Sequence, residues 1–97
     1  MRFMVCHTLA PNTSPEDAQH NQRLTQRDKR VRGYRSFISL SDGKAVCIYD
    51  APDQAALEAW LQSSDLPYEA IHEVEFEGDR GELHEVGIPA HQGYSGP

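Results

Sequence analysis

Residues 43–62, GKAVCIYDAPDQAALEAWLQ, join a turn, a short apolar strand pattern and a helix pattern across one proline. Pro52 ends the strand, because proline has no backbone N–H for a sheet ladder, and Asp53 is a favourable cap for the helix that follows. Within that helix the large apolar side chains recur at the spacing of a core-facing stripe: Leu57, Trp60 and Leu61. The stretch predicts a strand and a helix that pack together in one mixed α and β domain.

The remaining segments supply three more strands and one more helix. Residues 2–8 and 69–77 have the apolar and alternating patterns of strands. Residues 33–40 form a hairpin with the strand at 44–49, because SDG between them is a turn sequence. The second helix is predicted within residues 14–30, and the order of elements is therefore βαββαβ.

The helix in residues 14–30 has a strong start and a weak body. Ser14 occupies the cap position, Pro15 the first helical position and Asp17 the acidic position of a capping box. The apolar residues of its body are only Ala18 and Leu24. We expect a short helix that buries little surface.

The βαββαβ order predicts an α+β, ferredoxin-like sandwich: a four-stranded antiparallel sheet in the order 4-1-3-2 with two helices on one face. The opposite side of the sheet, called the outer face below, is then polar, covered by a second copy or closed over a ligand. A homodimer built as a dimeric α+β barrel is expected. Residues 1–79 form the domain, and residues 80–97 form a C-terminal extension that is partly flexible.

Composition narrows the classes of partner. The chain has 97 residues and a net charge of −6, and no apolar run approaches the roughly 20 residues of a membrane helix. Seven basic and three acidic residues give residues 1–41 a charge of +4, whereas two basic and twelve acidic residues give residues 42–97 a charge of −10. Nucleic acid is not an expected partner, because the basic cluster lacks interleaved aromatic residues and the domain as a whole is acidic. A membrane is not an expected partner either, because no apolar run is long enough for a membrane helix. A cytoplasmic location with reduced cysteines is expected.

Alternation along the strands predicts a site on the outer face. If Val46 and Ile48 face the helices, the intervening residues face outward. The predicted ligand-binding residues are Cys6, Arg35, Cys47, Tyr49 and Glu73. Cys47 and Glu73 would be donors to a metal, Arg35 would neutralise an anion and Tyr49 would supply a hydroxyl. The same residues also fit an interface between two copies, and both interpretations stay open.

No motif identifies a reaction. The five histidines have neither HxxxH nor HExxH spacing, and no phosphate-binding loop or nucleophile elbow is present. The chain is therefore expected to be non-enzymatic. One alternative is a small α+β-barrel enzyme, such as a cofactor-free oxygenase, in which Tyr49 and a histidine exchange protons. Another is a scaffold whose basic helix contacts an acidic partner.

Several motifs resemble a bacterial domain-of-unknown-function family (DUF4242-like). They are SFISL at 36–40, CIYDAP at 47–52 and IHEVE at 71–75. The resemblance implies a ferredoxin-like fold, a dimer and a divalent metal such as nickel, because the family includes a small dimeric nickel-binding protein. Arg35 stands where similar sequences have a histidine, and a guanidinium does not ligate metals. The sequence leaves open whether Arg35 abolishes that site and whether His84 or His91 completes a neighbour's site.

Overall fold

The structure, a computed structural model, describes residues 1–86. The elements are β1 (Arg2–Thr8), α1 (Pro15–Leu24), β2 (Arg32–Ser39), β3 (Lys44–Asp50), α2 (Gln54–Ser63), β4 (Ala70–Glu73), β5 (Phe76–Asp79) and β6 (Glu82–Glu85). Strands β1 to β4 form one antiparallel sheet in the order β2-β3-β1-β4, and β5 and β6 form a separate hairpin. The α+β class, the element order of the main sheet and its strand order are confirmed.

The core lies between α2 and the central strands. Phe3 and Val5 of β1 are buried, and Tyr49 of β3 packs on Trp60 of α2 with 5.4 Å between ring centroids. The predicted stripe of α2 is confirmed, because its buried residues are Leu57, Trp60 and Leu61. The Asp53 side chain accepts a hydrogen bond from the Ala56 backbone N–H at 2.8 Å and caps this helix as predicted.

The capping box of α1 is also confirmed. Ser14 Oγ accepts from the Asp17 backbone N–H at 3.1 Å, and Asp17 Oδ2 accepts from the Ser14 backbone N–H at 3.0 Å. The helix ends at Leu24, six residues before the end of the predicted range, and none of its residues is buried. A helix with so few apolar side chains cannot close tightly on the sheet.

Polar contacts and one close backbone approach hold α1 against β2. The Gly33 N–H donates to the Thr25 carbonyl at 3.0 Å, and Gln22 Nε2 donates to Ser36 Oγ at 3.1 Å. A Cβ built at Gly33 would lie 2.5 Å from Thr25 Oγ1, so only glycine permits this approach.

The predicted strand at 69–77 is divided in the structure. Its pairing with β1 ends where Glu73 is opposite Phe3, close to the start of β1 at Arg2. The chain then forms the β5–β6 hairpin. Arg2 joins this hairpin to β3 through ion pairs of 2.8 Å with Glu77 of β5 and Asp50 of β3. Strand β6 lies in the predicted extension, and the domain boundary at residue 79 stays a prediction. The predicted extension covers residues 80–97, and its residues 87–97, which include His91, lie outside the described residues.

Within residues 1–86, no helix has both the length and the apolar character needed to cross a membrane.

Candidate functional site

The strand register assigns each side chain to one side of the sheet. Residues directly opposite each other in neighbouring antiparallel strands point to the same side. Tyr49 is opposite Phe3, and Cys47 is opposite Val5. Because Phe3 and Val5 belong to the buried core, Cys47 and Tyr49 also face the helices, and they are only 7% and 2% exposed. Their predicted position on the outer face is wrong.

The error has a physical cause in the sequence of β3. Both alternate sets of side chains in this strand are apolar enough to be buried, so period-two alternation does not select a side. Tyr49 supplies the large ring that packs on Trp60, whereas Val46 and Ile48 are half-buried on the outer face.

The five predicted site residues therefore do not meet on one face. Cys6 is opposite Val46 and Arg35 is opposite Ile48, and both lie on the outer face as predicted. Glu73 is opposite Phe3 on the helix side, at the exposed end of β4. Ligand binding by any of the five stays a prediction.

A different set of donors comes together on the outer face. Met4 of β1 is directly opposite His72 of β4, and Cys6 is two residues further along the same side of β1. Directly opposite side chains have Cβ atoms about 4.5–5.5 Å apart, and diagonal neighbours are within reach of longer side chains. The strand alternation predicts that Met4 accompanies Cys6. It does not identify His72, because that requires the register between β1 and β4.

Apolar and cationic groups surround these donors. Val46 and Ile48 are half-buried beside them, and Phe37 on β2 is 61% exposed. The Arg35 guanidinium lies 5.4 Å from the centre of the Tyr34 ring, and within residues 1–86 Arg35 makes no ion pair. The outer face is thus an apolar surface with soft donors on one side and a cation on the other.

The donor set of one chain is too small to enclose a metal ion. Among the described residues, no three histidine, cysteine or acidic side chains form a group that could hold a metal. On the outer face Cys6 and His72 are two such donors, and the Met4 thioether is a weaker third. By themselves these residues offer too few donors to enclose a metal ion.

The helix side of the sheet contains a cavity of about 440 Å³ beneath α1. Its walls are α1, the sheet and the loop at 64–67. The chemically distinctive residues that line it are His7, Cys47 and Tyr49. The cavity follows from the weak body of α1, which leaves space between the helix and the sheet.

His7 is a second functional candidate, besides His72, that the sequence did not identify. It is 8% exposed, and its Nδ1 lies 2.8 Å from the Pro67 carbonyl oxygen. Its Nε2 is buried and has no hydrogen-bond partner within residues 1–86. The alternation of residues 2–8, RFMVCHT, could have predicted the burial of His7, because His7 is on the same side of the strand as Phe3 and Val5.

Burial keeps the neighbouring acidic groups protonated. Desolvation raises the pKa of the Cys47 thiol, although hydrogen bonds from Ser36 and Tyr49 act in the opposite direction. Desolvation also raises the pKa of Tyr49, to which the adjacent Cys47 contributes. Both groups are therefore uncharged at neutral pH, and neither is a ready base or a free thiolate.

Residues 3–74 match the family described as nickel responsive protein SCO4226-like. This match covers most of the chain. The chain belongs to the SCO4226-like family. The resemblance drawn from the sequence motifs is confirmed as membership of a nickel-responsive family. The DUF4242-like label stays a prediction.

One solved structure agrees with this membership at the level of fold. The crystal structure of SCO4226 from Streptomyces coelicolor A3(2) matches with a TM-score of 0.70 and 16% sequence identity, covering 80% of this chain and 100% of that chain. None of the curated proteins matches the chain. This SCO4226-like chain therefore shares the α+β fold of SCO4226, and the structural likeness carries nothing further about ligands.

Proposed function

We propose that this protein is a non-enzymatic homodimer that binds a divalent metal ion such as nickel between the outer faces of two copies. The observation that carries the proposal is the register of β1 and β4, which aligns Met4 with His72 and brings Cys6 alongside. The family's nickel-responsive description makes nickel the first ion to test.

The donor chemistry suits a late first-row metal. Thiolate and thioether sulfurs are soft ligands and imidazole is intermediate, whereas magnesium and calcium prefer oxygen. Cys6 and His72 are both accessible, since Cys6 is half-buried and His72 is exposed. One chain offers two good donors, so a second copy is needed to supply the other pair.

The surroundings of the donors support pairing of two outer faces. Val46, Ile48 and Phe37 form an apolar surface that a second copy would remove from water. The opposite charges of residues 1–41 and 42–97 also allow unlike surfaces of two copies to approach. Dimerisation would thus bury apolar area and complete the ligand set.

The proposal modifies the donor set predicted from sequence. Cys6 remains a donor, but Cys47 and Glu73 lie on the other side of the sheet and cannot join it. Arg35 shares the outer face and opposes a bound cation. If the ligand were instead a small carboxylate or phosphate, Arg35 would be its main contact.

Proton transfer by Tyr49 is a weaker explanation of the structure. Tyr49 and His7 do line one cavity, as an α+β-barrel enzyme would require. The raised pKa of Tyr49 nevertheless keeps its phenol protonated at neutral pH, so that it cannot act as a base. Binding is therefore preferred to catalysis.

Isothermal titration with Ni²⁺ tests the proposal. We expect the wild-type chain to bind half an equivalent per chain, and the double variant Cys6→Ser, His72→Asn to bind about 100-fold more weakly or not at all, since even outer-shell changes cost about 10- to 100-fold. His84→Asn removes an exposed histidine from β6, and Cys47→Ala removes the thiol on the opposite side.

Both control variants should bind nickel as the wild type does. Unchanged nickel affinity in the double variant, or loss of binding only in Cys47→Ala, would contradict the outer-face site. Titration with a simple carboxylate, acetate, distinguishes the anion alternative, which predicts binding that depends on Arg35 and not on Cys6.

A further inference from the structure

We propose that the cavity beneath α1 is a second binding site, which takes a small organic molecule that carries no negative charge and has one N–H or O–H donor. The donor bonds to Nε2 of His7, and the rest of the molecule fills the space between α1 and the sheet. This site lies on the opposite side of the sheet from Cys6 and His72, so the inference is independent of the nickel proposal.

The hydrogen bonding of His7 defines what the ligand must offer. A carbonyl oxygen only accepts, so His7 Nδ1 carries the proton that is donated to Pro67 at 2.8 Å. In the neutral imidazole Nε2 then has the lone pair, and this acceptor is buried without a partner within residues 1–86. Buried polar atoms are almost always paired. Because His7 also lines the cavity, a donor from a ligand can pair with this acceptor once the side chains that cover it move aside.

Neighbouring rings fix the orientation of that acceptor. The Tyr49 ring meets the His7 ring edge to face, with 6.5 Å between centroids and an angle of 72°. Tyr49 in turn packs on Trp60 at 5.4 Å. Because Nδ1 is held by Pro67 and the ring by Tyr49, the imidazole is positioned before any ligand enters.

The cavity walls favour a molecule without negative charge. Much of the lining is apolar, including Ala18 and Leu24 of α1, Ile38 of β2 and Leu66. Within residues 1–86, the lining includes no lysine or arginine that could pair with an anion. Its volume of about 440 Å³ falls in the range of small-molecule sites, about 300–1,000 Å³.

The charges at the cavity also oppose an anionic ligand. Asp17 and Asp65 are the carboxylates among the lining residues. The Asp17 carboxylate accepts from the Ser14 backbone N–H, which lowers its pKa and keeps it negative. A negatively charged ligand would therefore meet repulsion without a compensating cation.

An NMR titration of the full chain with indole, 1-methylindole and indole-2-carboxylate tests the site. Indole has the required N–H, 1-methylindole has nearly the same shape without it, and the carboxylate adds a negative charge. We expect indole to shift the amide signals of residues 7–10, 18–25 and 64–66. 1-Methylindole should bind about tenfold more weakly, because a hydrogen bond to a buried acceptor contributes on that order. Indole-2-carboxylate keeps the N–H and should bind more weakly because the carboxylates at the cavity repel its charge.

Three variants locate the site. Ala18→Trp places a large side chain into the cavity from the half-buried face of α1 and should abolish indole binding. His7→Phe keeps a ring but removes the acceptor, so indole and 1-methylindole should then bind equally. Cys6→Ser changes the outer face of the same strand and should leave indole binding unchanged.

The proposal is overturned by any of three results. Indole and 1-methylindole bind the wild type equally well, indole shifts signals only on the outer face or nowhere at millimolar concentration, or Ala18→Trp binds indole as the wild type does. If His7→Phe does not fold, the comparison of the three compounds and the Ala18→Trp variant still decide the matter.

Discussion

Arg35 is the residue that most affects how the outer face responds to charge. It lies opposite Ile48, on the same side of the sheet as the proposed donors, and it has no ion-pair partner within the described part of the chain. A permanent positive charge there weakens the binding of a divalent cation and attracts an anion. The family resemblance puts a histidine at this position.

Replacing Arg35 by histidine should strengthen nickel binding. The change removes a positive charge and adds an imidazole, and we expect an affinity gain of about tenfold, equivalent to about 1.4 kcal/mol. Isothermal titration measures it. Arg35→Gln is the matched control, because it removes the charge without adding a ligand and should give a smaller gain. Weaker nickel binding in Arg35→His would contradict a cation site on this face.

Asp28 predicts an acid-sensitive contribution to stability in the loop before β2. Its Oδ1 accepts from the backbone N–H groups of Arg30 at 2.6 Å and Val31 at 3.2 Å. These hydrogen bonds lower the pKa of Asp28 below its ordinary value of 3.8. The charged form is therefore preferred in the folded state, and the stabilisation is present above pH 3.8 and is lost as the pH falls through the lower folded pKa.

Comparing wild type with Asp28→Asn tests this sign. Wild type should be the more stable protein in urea denaturation near pH 6, and the difference should shrink as the pH falls below about 4. Asp42→Asn makes the same change at an exposed turn residue and is the matched control. A difference for Asp28→Asn that grows on acidification would contradict the assignment.

At the scale of elements, α1 determines the shape of the helix side. The capping box of Ser14 and Asp17 begins this helix, and it ends at Leu24. Polar contacts, and the close approach of Gly33 to Thr25, attach it to β2. The helix contributes no buried residue, and the cavity lies beneath it. The helix with the fewest apolar residues thus forms one wall of the cavity of about 440 Å³.

Substituting Gly33 by alanine should destabilise the protein by roughly 1–3 kcal/mol, the usual cost of overpacking. The added Cβ would lie 2.5 Å from Thr25 Oγ1, which forces α1 and β2 apart. Gly78→Ala is the matched control, since a Cβ at Gly78 has no neighbour within 4 Å among residues 1–86. Urea denaturation measures both variants, and equal stability of the two would disprove the close approach.

Local sequence signals predict most of the helices and strands, but they predict less well which side of the sheet a residue faces. The caps at Ser14 and Asp53, the stripe of α2 and the SDG hairpin all depend on residues close together in the chain, and all are confirmed. The faces of β3 were not predictable, because both of its alternate sets are apolar. The pairing of Met4 with His72 depends on the β1–β4 register, which no local pattern encodes.

At the scale of the whole molecule, one sheet separates two different chemical environments. The helix side holds a partly apolar cavity with a buried histidine, and the outer face holds soft donors in an apolar surface. Neither environment requires the other, and the variants Ala18→Trp and Cys6→Ser, His72→Asn should affect them separately. Family membership bears on metal chemistry, whereas the cavity is inferred from this chain alone.

Native mass spectrometry of the purified chain, first stripped with a chelator and then given Ni²⁺, tests whether two outer faces share a nickel site. We expect a dimer, with twice the chain mass of 10.9 kDa, carrying one nickel ion that is absent in the Cys6→Ser, His72→Asn variant. A monomer that binds nickel by itself, or a dimer whose nickel is retained in that variant, would contradict a metal site shared between two outer faces.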